Sequence, residues 1–157
     1  HLSPARRRLY ARLMVRAARR HGVGVGWLAA RAWVESGFRS VVSVRFRTGP
    51  GGTWRQSWGI MQTEVHRHCH PEYIGREREL LRPEVSLDVG AADLAYWRRW
   101  HESRRCKCAG PWWRHYKWGY VAPARPRPRG GWKMENFRRR FRRAMRAVAD
   151  SATVGSS

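Results

Sequence analysis

The sequence predicts a mainly helical α+β domain with one small β-hairpin. Two patterns carry this prediction: apolar residues recur at helical spacing in several long stretches, and a Gly/Pro-rich turn at 48–52 separates two β-prone runs. Hydrophobic residues make up 42% of the 157 residues, which excludes a compositionally disordered chain and suits one compact domain. We expect this domain to span residues 1–150 and residues 151–157 to form a flexible tail.

The first two helices are predicted over residues 4–20 and 25–36. Pro4 suits the first position of a helix, and the segment 21–24 contains two glycines that end it. Apolar residues repeat at helical spacing along the first helix, at Leu9, Leu13 and Ala17. Gly37 suits the position just after the second helix, so Glu35 is expected in its last turn.

A hairpin is predicted next, between a run at 41–46 and a run at 53–56. The remaining predicted elements are a helix from Gly59 to about His68, a short helix at 76–82, a long helix at 83–104, a short aromatic helix or turn at 111–119, an exposed loop at 121–131 and a last helix at 133–149. No internal repeat is visible. Most of the expected elements are therefore helices, and the hairpin is the one expected β element.

The chain is strongly basic, with 33 Lys and Arg against 11 Asp and Glu and a formal net charge of +22. Such a charge concerns partners and solubility rather than fold. It suits a nucleic acid, an anionic membrane surface or a bacterial wall with acidic polymers, and a biased codon composition explains it equally well. The sequence contains no run of about 18 apolar residues, so no membrane span is predicted. The chain starts at His1 without a signal peptide, which fits a processed exported protein or a trimmed one.

The 10 tryptophans exceed what a core of this size needs. Some are therefore expected at the surface, either as stacking platforms for sugars or bases or as lids over the core.

The three cysteines leave several arrangements open. In an exported protein, Cys69 could pair with Cys106 or Cys108 and leave one thiol free. The alternatives are three inert thiols or a zinc site built with the nearby histidines, His66, His68, His70, His101 and His115. The Cys and His spacings do not match the usual structural zinc patterns. We therefore predict no metal and no cofactor.

Glu35 is the candidate catalytic residue. It is one of few acids in the chain and stands beside Trp33, Val34 and Phe38. Apolar surroundings disfavour the ionised form of a carboxyl group, and a general acid must hold its proton near neutral pH. The structural alternative is a helix-end carboxylate paired with Arg31 or Arg39.

Four segments resemble the motifs of the soluble lytic transglycosylases, which are lysozyme-like enzymes that cleave bacterial peptidoglycan. They are Glu35-Ser36-Gly37-Phe38, then Ser57-x-Gly59-Ile60-Met61-Gln62, then residues 86–94, which are similar to a helix motif of that family, and His115-Tyr116-Lys117-Trp118-Gly119. They occur in the family's order and span residues 35–119. Two positions depart from the pattern, because Lys117 and either Ser86 or Leu87 stand where the family has Asn.

The resemblance implies a lysozyme-like fold in which the hairpin lies beside the catalytic helix and a sugar chain occupies the groove. It implies Glu35 as a lone acid/base that cleaves the MurNAc-GlcNAc β-1,4 bond and leaves a 1,6-anhydromuramoyl end. The residues implied to bind substrate are Ser57, Gly59, Met61, Gln62, Tyr116 and Lys117. The other acids, Glu64, Asp88 and Asp93, offer no evident second catalytic carboxyl.

The implied partner is the glycan strand of peptidoglycan, met by a monomer in the periplasm or outside the cell. Electrostatic association with the anionic cell envelope is also expected, and a specific nucleic-acid partner is not. Two alternatives stay open. Entry of water would give lysozyme-type hydrolysis, and an arginine-rich module without catalysis could bind nucleic acid or the cell wall.

Overall fold

The computed structural model describes residues 2–47, 52, 54–105, 112, 139–140, 142–143 and 146. Three α-helices dominate the described part: α1 (Pro4–His21), α2 (Val25–Ser36) and α3 (Pro83–Trp100). Two small antiparallel sheets of two strands each lie between α2 and α3 in the chain. The predicted class, α+β with mainly helical content, is confirmed.

The ends of α1 and α2 follow the sequence signals. The hydroxyl of Ser3 accepts a hydrogen bond from the backbone N–H of Arg6, and Pro4 occupies the first turn of α1. Gly22 closes α1 and Gly37 closes α2, both in the left-handed region at φ 66° and 61°. This confirms the predicted end of α2, because a glycine adopts that conformation without a steric penalty.

The strands are short and form two hairpins. Strands β1 (Phe46–Arg47) and β2 (Trp54–Arg55) pair around the predicted turn, so the predicted hairpin is confirmed with fewer residues. Strands β3 (Ser57–Trp58) and β4 (Thr63–Glu64) pair next, with Ser57 opposite Glu64.

The predicted helix from Gly59 to about His68 is wrong, because the second hairpin occupies this segment. Gly59 and Gln62 both have positive φ, 74° and 51°, which an α-helix cannot accommodate. The backbone N–H of Gln62 donates to the Gly59 carbonyl at 3.3 Å and closes the turn. Gly59, directly after the β-prone Trp58, was the local signal for this turn.

The segment before α3 contains two 3-10 helices, Pro71–Tyr73 and Glu77–Leu81, and the second confirms the short helix predicted there. Helix α3 ends at Trp100 and continues as a π-helical turn, His101–Arg105, so the predicted long helix is confirmed. Residues 139–140, 142–143 and 146 are helical, as predicted for the last helix. The predicted loop at 121–131 and the tail at 151–157 lie outside the described residues.

The core lies where α1, α2 and α3 meet the second hairpin. The fully buried side chains include Leu28 of α2, Ile60 and Met61 of the hairpin turn, and Leu87 of α3. Each such side chain stabilises the fold by roughly 1.5–3 kcal/mol relative to an exposed one. Helix α1 covers this core with Tyr10, Met14, Ala17 and Ala18. No helix in the described ranges is long and apolar enough to cross a bilayer.

Candidate functional site

Glu35 lies in the last turn of α2, as predicted, and its side chain is only 14% exposed. One carboxylate oxygen, Oε1, is 2.9 Å from Nη2 of Arg31, whose side chain is 8% exposed. The two residues stand four apart on one face of the helix, where such pairs meet. A largely buried carboxylate requires a partner of this kind, because removing it from water is otherwise costly.

The ion pair is the contact that the structural alternative for Glu35 anticipated. Arg31 forms it, whereas Nε of Arg39 donates to the carbonyl of Ser36 at 3.0 Å. The same carboxylate therefore has a structural role in the helix end and remains the candidate acid. The pair suits both roles, because a buried guanidinium can also hold a reactive carboxylate in one orientation.

The aromatic neighbours of Glu35 in sequence border a different space. Trp33 and Phe38 lie with their ring centroids 6.1 Å apart and line a cavity of about 860 Å³ together with Tyr10 and Met14 of α1. Trp33 is 51% exposed there. Glu35 is not a lining residue of this cavity.

Ser36 joins the first two sequence motifs. Its hydroxyl donates to the carbonyl of Ile60 at 2.8 Å and lies 3.2 Å from the carbonyl of Ala32 in its own helix. Ser36 is buried, so this hydrogen bond is protected from water. The contact ties the end of α2, which carries Glu35, to the turn of the second hairpin, 24 residues further along the chain.

The third motif meets the same turn through Gly59 and Ser86. The backbone N–H of Met61 donates to the buried hydroxyl of Ser86 at 3.1 Å. A Cβ atom on Gly59 would lie 1.9 Å from the Leu80 carbonyl oxygen and 2.5 Å from the Ser86 hydroxyl. Only glycine fits this position, since the backbone has φ 74° and the neighbouring atoms leave no room.

Gly90 of α3 completes this contact. A Cβ atom there would approach the side chain of Met61 to 2.5 Å, so α3 and the turn touch directly. We call this meeting point the junction, and its members are Ser36, Gly59, Ile60, Met61, Ser86 and Gly90. The junction brings together residues of three of the four motifs.

The predicted substrate residues of the second hairpin are buried or hydrogen-bonded to the backbone. Met61 is fully buried, and Ser57 is 9% exposed. The amide nitrogen of Gln62 donates to the carbonyls of Val41 and Gly59, at 3.1 and 2.8 Å. In this structure Met61 packs within the core, and the Gln62 side chain bonds to the backbone of the protein. Tyr116 and Lys117 lie outside the described residues.

The other carboxyls considered as catalytic partners each pair with a cation elsewhere. Glu64 meets Arg55 at 3.1 Å, and Asp88 meets Arg20 at 3.0 Å. Asp93 lies 3.0 Å from a ring nitrogen of His70. Each of these contacts accounts for the charge of its carboxyl group locally.

The described members of the histidine and cysteine cluster are His66, His68, Cys69, His70 and His101. In the described ranges, no three residues of the types His, Cys, Asp and Glu are arranged to hold a metal ion. Burial, together with Asp93 and Glu64, raises the pKa of Cys69 to about 11, so the thiol stays protonated at neutral pH. Within the described ranges, Cys69 forms no disulfide. Cys106, Cys108 and His115 lie outside the described residues, so the disulfide remains a prediction.

The contacts of His70 with Asp93 and Glu72 were not predicted from the sequence. His70 has φ 51°, and its two ring nitrogens face Asp93 of α3 and Glu72 of the first 3-10 helix, at 3.0 and 3.3 Å. Burial alone lowers the pKa of His70, but the hydrogen bonds and charges of Asp93 and Glu72 outweigh it, so the pKa is raised. The nearby Glu72 was the available local signal, whereas Asp93 is distant in sequence.

Comparisons of the chain with protein-family models, curated proteins and solved structures found no match.

Proposed function

We propose that this chain is a peptidoglycan lytic transglycosylase with a lysozyme-like fold. Glu35 acts as its lone acid/base on the MurNAc-GlcNAc β-1,4 bond, in the periplasm or outside the cell. The observation that carries the proposal is the hydrogen bond from Ser36 to the Ile60 carbonyl, at 2.8 Å. It joins the Glu-Ser and Gly-Ile-Met-Gln segments, whose pairing is the most specific part of the resemblance.

The arrangement around Glu35 supports a cycle with one carboxyl. Glu35 protonates the glycosidic oxygen as the bond breaks, and an oxocarbenium-like sugar forms. The resulting carboxylate accepts the proton of the sugar's own 6-hydroxyl as that oxygen closes the 1,6-anhydro ring, so the acid is regenerated. No second carboxylate is required, in agreement with the local ion pairs of Glu64, Asp88 and Asp93.

Arg31 is the described side chain that pairs with the proposed acid/base. Its Nη2 lies 2.9 Å from Oε1 of Glu35, and both side chains are largely buried. A contact of this kind keeps a reacting carboxyl group in one orientation, as a lone acid/base requires.

The exposed aromatic side chains suit a sugar polymer. Trp54 on strand β2 is 61% exposed, and Phe46 on its partner strand is 37% exposed. An indole ring offers a flat apolar face at little cost in conformational entropy, and sugar rings have apolar faces of similar size. We propose that the first hairpin contributes Trp54 to the binding of a glycan strand.

The test is digestion of purified peptidoglycan with the wild-type chain and with Glu35→Gln, followed by mass analysis of the released muropeptides. Anhydro ends from the wild type that fall at least about 100-fold in Glu35→Gln support the proposal, because general acid–base catalysis contributes about that much or more. Glu64→Gln is the matched control, since it makes the same chemical change at a partly exposed, ion-paired carboxyl, and it should retain activity. Reducing ends would identify hydrolysis instead.

The Arg31–Glu35 pair favours one second candidate, a wall-binding domain without catalysis. In that case Glu35 only completes an ion pair at the end of α2. This candidate predicts that wild type and Glu35→Gln release nothing, while both sediment with insoluble peptidoglycan. Release of fragments by the wild type excludes it.

A further inference from the structure

The outward face of α1 carries a line of arginines. Arg8, Arg12 and Arg16 follow one another at intervals of four residues, and Arg19 stands on the same side of the helix. All four are exposed. We call them the basic face. Helix α1 contains no Asp or Glu, so no charge within the helix offsets them.

The basic face is straight and regularly spaced. With a rise of about 1.5 Å per residue, the line runs for roughly 16 Å in steps of about 6 Å. A shallow depression of about 400 Å³ is lined by Arg12, Val15, Arg16 and Arg19, so three of these guanidinium-bearing side chains border one shared space. An elongated ligand can therefore lie along the helix and contact several of them at once.

The charges of the basic face are directed to solvent. In the part of the chain that the structure describes, none of the four arginines forms an ion pair with a carboxylate, whereas the next arginine, Arg20, meets Asp88 at 3.0 Å. Like charges in one row repel each other, and a ligand that supplies negative charges at similar intervals relieves this repulsion. The complementary ligand is a linear polyanion.

Two other anionic partners fit this surface poorly. An amphipathic helix binds a bilayer through its apolar face, but in α1 that face, with Tyr10, Met14 and Ala17, is already buried in the core. Single-stranded nucleic acid is bound by stacking on aromatic rings, but in α1 Tyr10 is buried and the ring of His21 contacts Asp88. The basic face can therefore contact backbone phosphates, but it offers no ring for stacking and no apolar side chain for insertion.

We propose that the basic face binds a linear polyol-phosphate polymer of the bacterial wall. The planar guanidinium group forms paired hydrogen bonds to phosphate oxygens, and such a polymer has one charge in each short repeat. The choice of a wall polymer rests on the proposed function, whereas binding of a phosphodiester chain through these four arginines does not. The basic face would hold the enzyme at the wall while the glycan strand is cut elsewhere on the molecule.

The test measures binding of fluorescent poly(glycerol phosphate) over a series of salt concentrations. One variant changes Arg8, Arg12, Arg16 and Arg19 to Gln. The matched control changes four exposed arginines outside this face, Arg45, Arg67, Arg78 and Arg99, and so removes the same charge. Circular dichroism and thermal melting verify that each variant is folded, and the double variant Arg12→Gln/Arg16→Gln replaces the fourfold one if that one unfolds.

We expect the basic-face variant to bind at least roughly tenfold more weakly in low salt and its salt slope to fall by about 3. The control variant should stay near the wild type. Equal losses in both variants overturn the proposal, because net charge alone would then explain binding. Tighter, face-dependent binding of duplex DNA or of phosphatidylglycerol vesicles overturns it as well. Since no step requires cleavage, Glu35→Gln should bind like the wild type even if the proposed catalysis fails.

Discussion

The junction and the segment around His70 both connect distant parts of the chain through polar side chains, but their surroundings differ. In the junction, Ser36 and Ser86 are buried and hold backbone groups of the hairpin turn. His70, which is 15% exposed, joins Asp93 to Glu72, whose side chain is 59% exposed. The neutral junction is independent of pH, whereas the His70 contact depends on protonation of an imidazole.

The stability of one region therefore depends on close packing, and that of the other depends on charge. The junction relies on shape, because Gly59 and Gly90 leave no room for a Cβ atom. Such contacts fail abruptly when an atom is added. The His70 contact relies on charge and loses strength gradually as a proton leaves. The region that carries Glu35 belongs to the first kind, which suits a site whose geometry must be kept.

The largest expected effect is that of Gly59→Ala. The new methyl group would overlap the Leu80 carbonyl oxygen, which belongs to the backbone and cannot turn aside. We expect a loss of more than about 4 kcal/mol in the free energy of unfolding, or no folded protein at all. Gly75→Ala is the control, because Gly75 has a similar φ of 78° but open space around it. It should cost only about 1–2 kcal/mol in a urea melt. Equal costs would contradict the role of packing in the junction.

Next in size is the effect of Arg31→Leu. The change removes the guanidinium that lies 2.9 Å from the largely buried Glu35 carboxylate, and the expected loss is about 3 kcal/mol in urea unfolding. The double variant Arg31→Leu/Glu35→Leu should recover most of this loss, since neither charge then remains. If the double variant is as unstable as the sum of both single ones, the 2.9 Å contact is not a coupled pair.

A smaller and pH-dependent effect is expected for His70→Asn, a change that tolerates the positive φ of this position. The folded pKa of His70 is raised above 6.5, so its stabilising contribution is complete below that pH and is lost as the pH rises through the folded pKa. The wild type should therefore exceed the variant in unfolding free energy more at about pH 6 than at about pH 8.5. An equal difference between wild type and variant at both pH values would contradict this role of His70.

The smallest effect is expected at the exposed pair of Arg76 and Glu79. Their atoms Nε and Oε1 are 2.7 Å apart, but the side chains are 62% and 36% exposed. Water and salt screen such a pair, so Arg76→Gln should leave the urea midpoint unchanged within error. A clear shift would mean that short distance, rather than burial, decides which ion pairs stabilise this fold.

The helix ends and the first hairpin were predictable because the residues that specify them are close together in sequence. Pro4 and Gly37 identify helix ends from nearby residues, and the Gly/Pro turn identifies the first hairpin. The second hairpin was missed although Gly59 begins its turn, because the other left-handed residue of the turn is Gln62, a residue type that seldom adopts a positive φ. The amide of Gln62 supports this conformation by hydrogen bonds to Val41 and Gly59, and those contacts exist only after the chain has folded.

The candidate site divides in the same way. Gly37 predicted that Glu35 lies in the last turn of a helix, and the Gly/Pro-rich turn predicted the hairpin that follows; both are observed. The neighbours of Glu35 were not predictable to the same degree: Arg31 and Arg39 were equal candidates as partners, and only Arg31 makes the ion pair. Met61 was expected at the substrate, yet the close approach of Gly90 encloses it.

By itself the sequence determined the helical class, the ends of α1 and α2 and the position of Glu35, because periodicity, proline and glycine act over a few residues. Only the tertiary structure decided that Ser36, Gly59, Ser86 and Gly90 meet at one junction and that His70 reaches Asp93. Those contacts join residues 23 or more positions apart, and their geometry depends on how the three helices pack around the second hairpin.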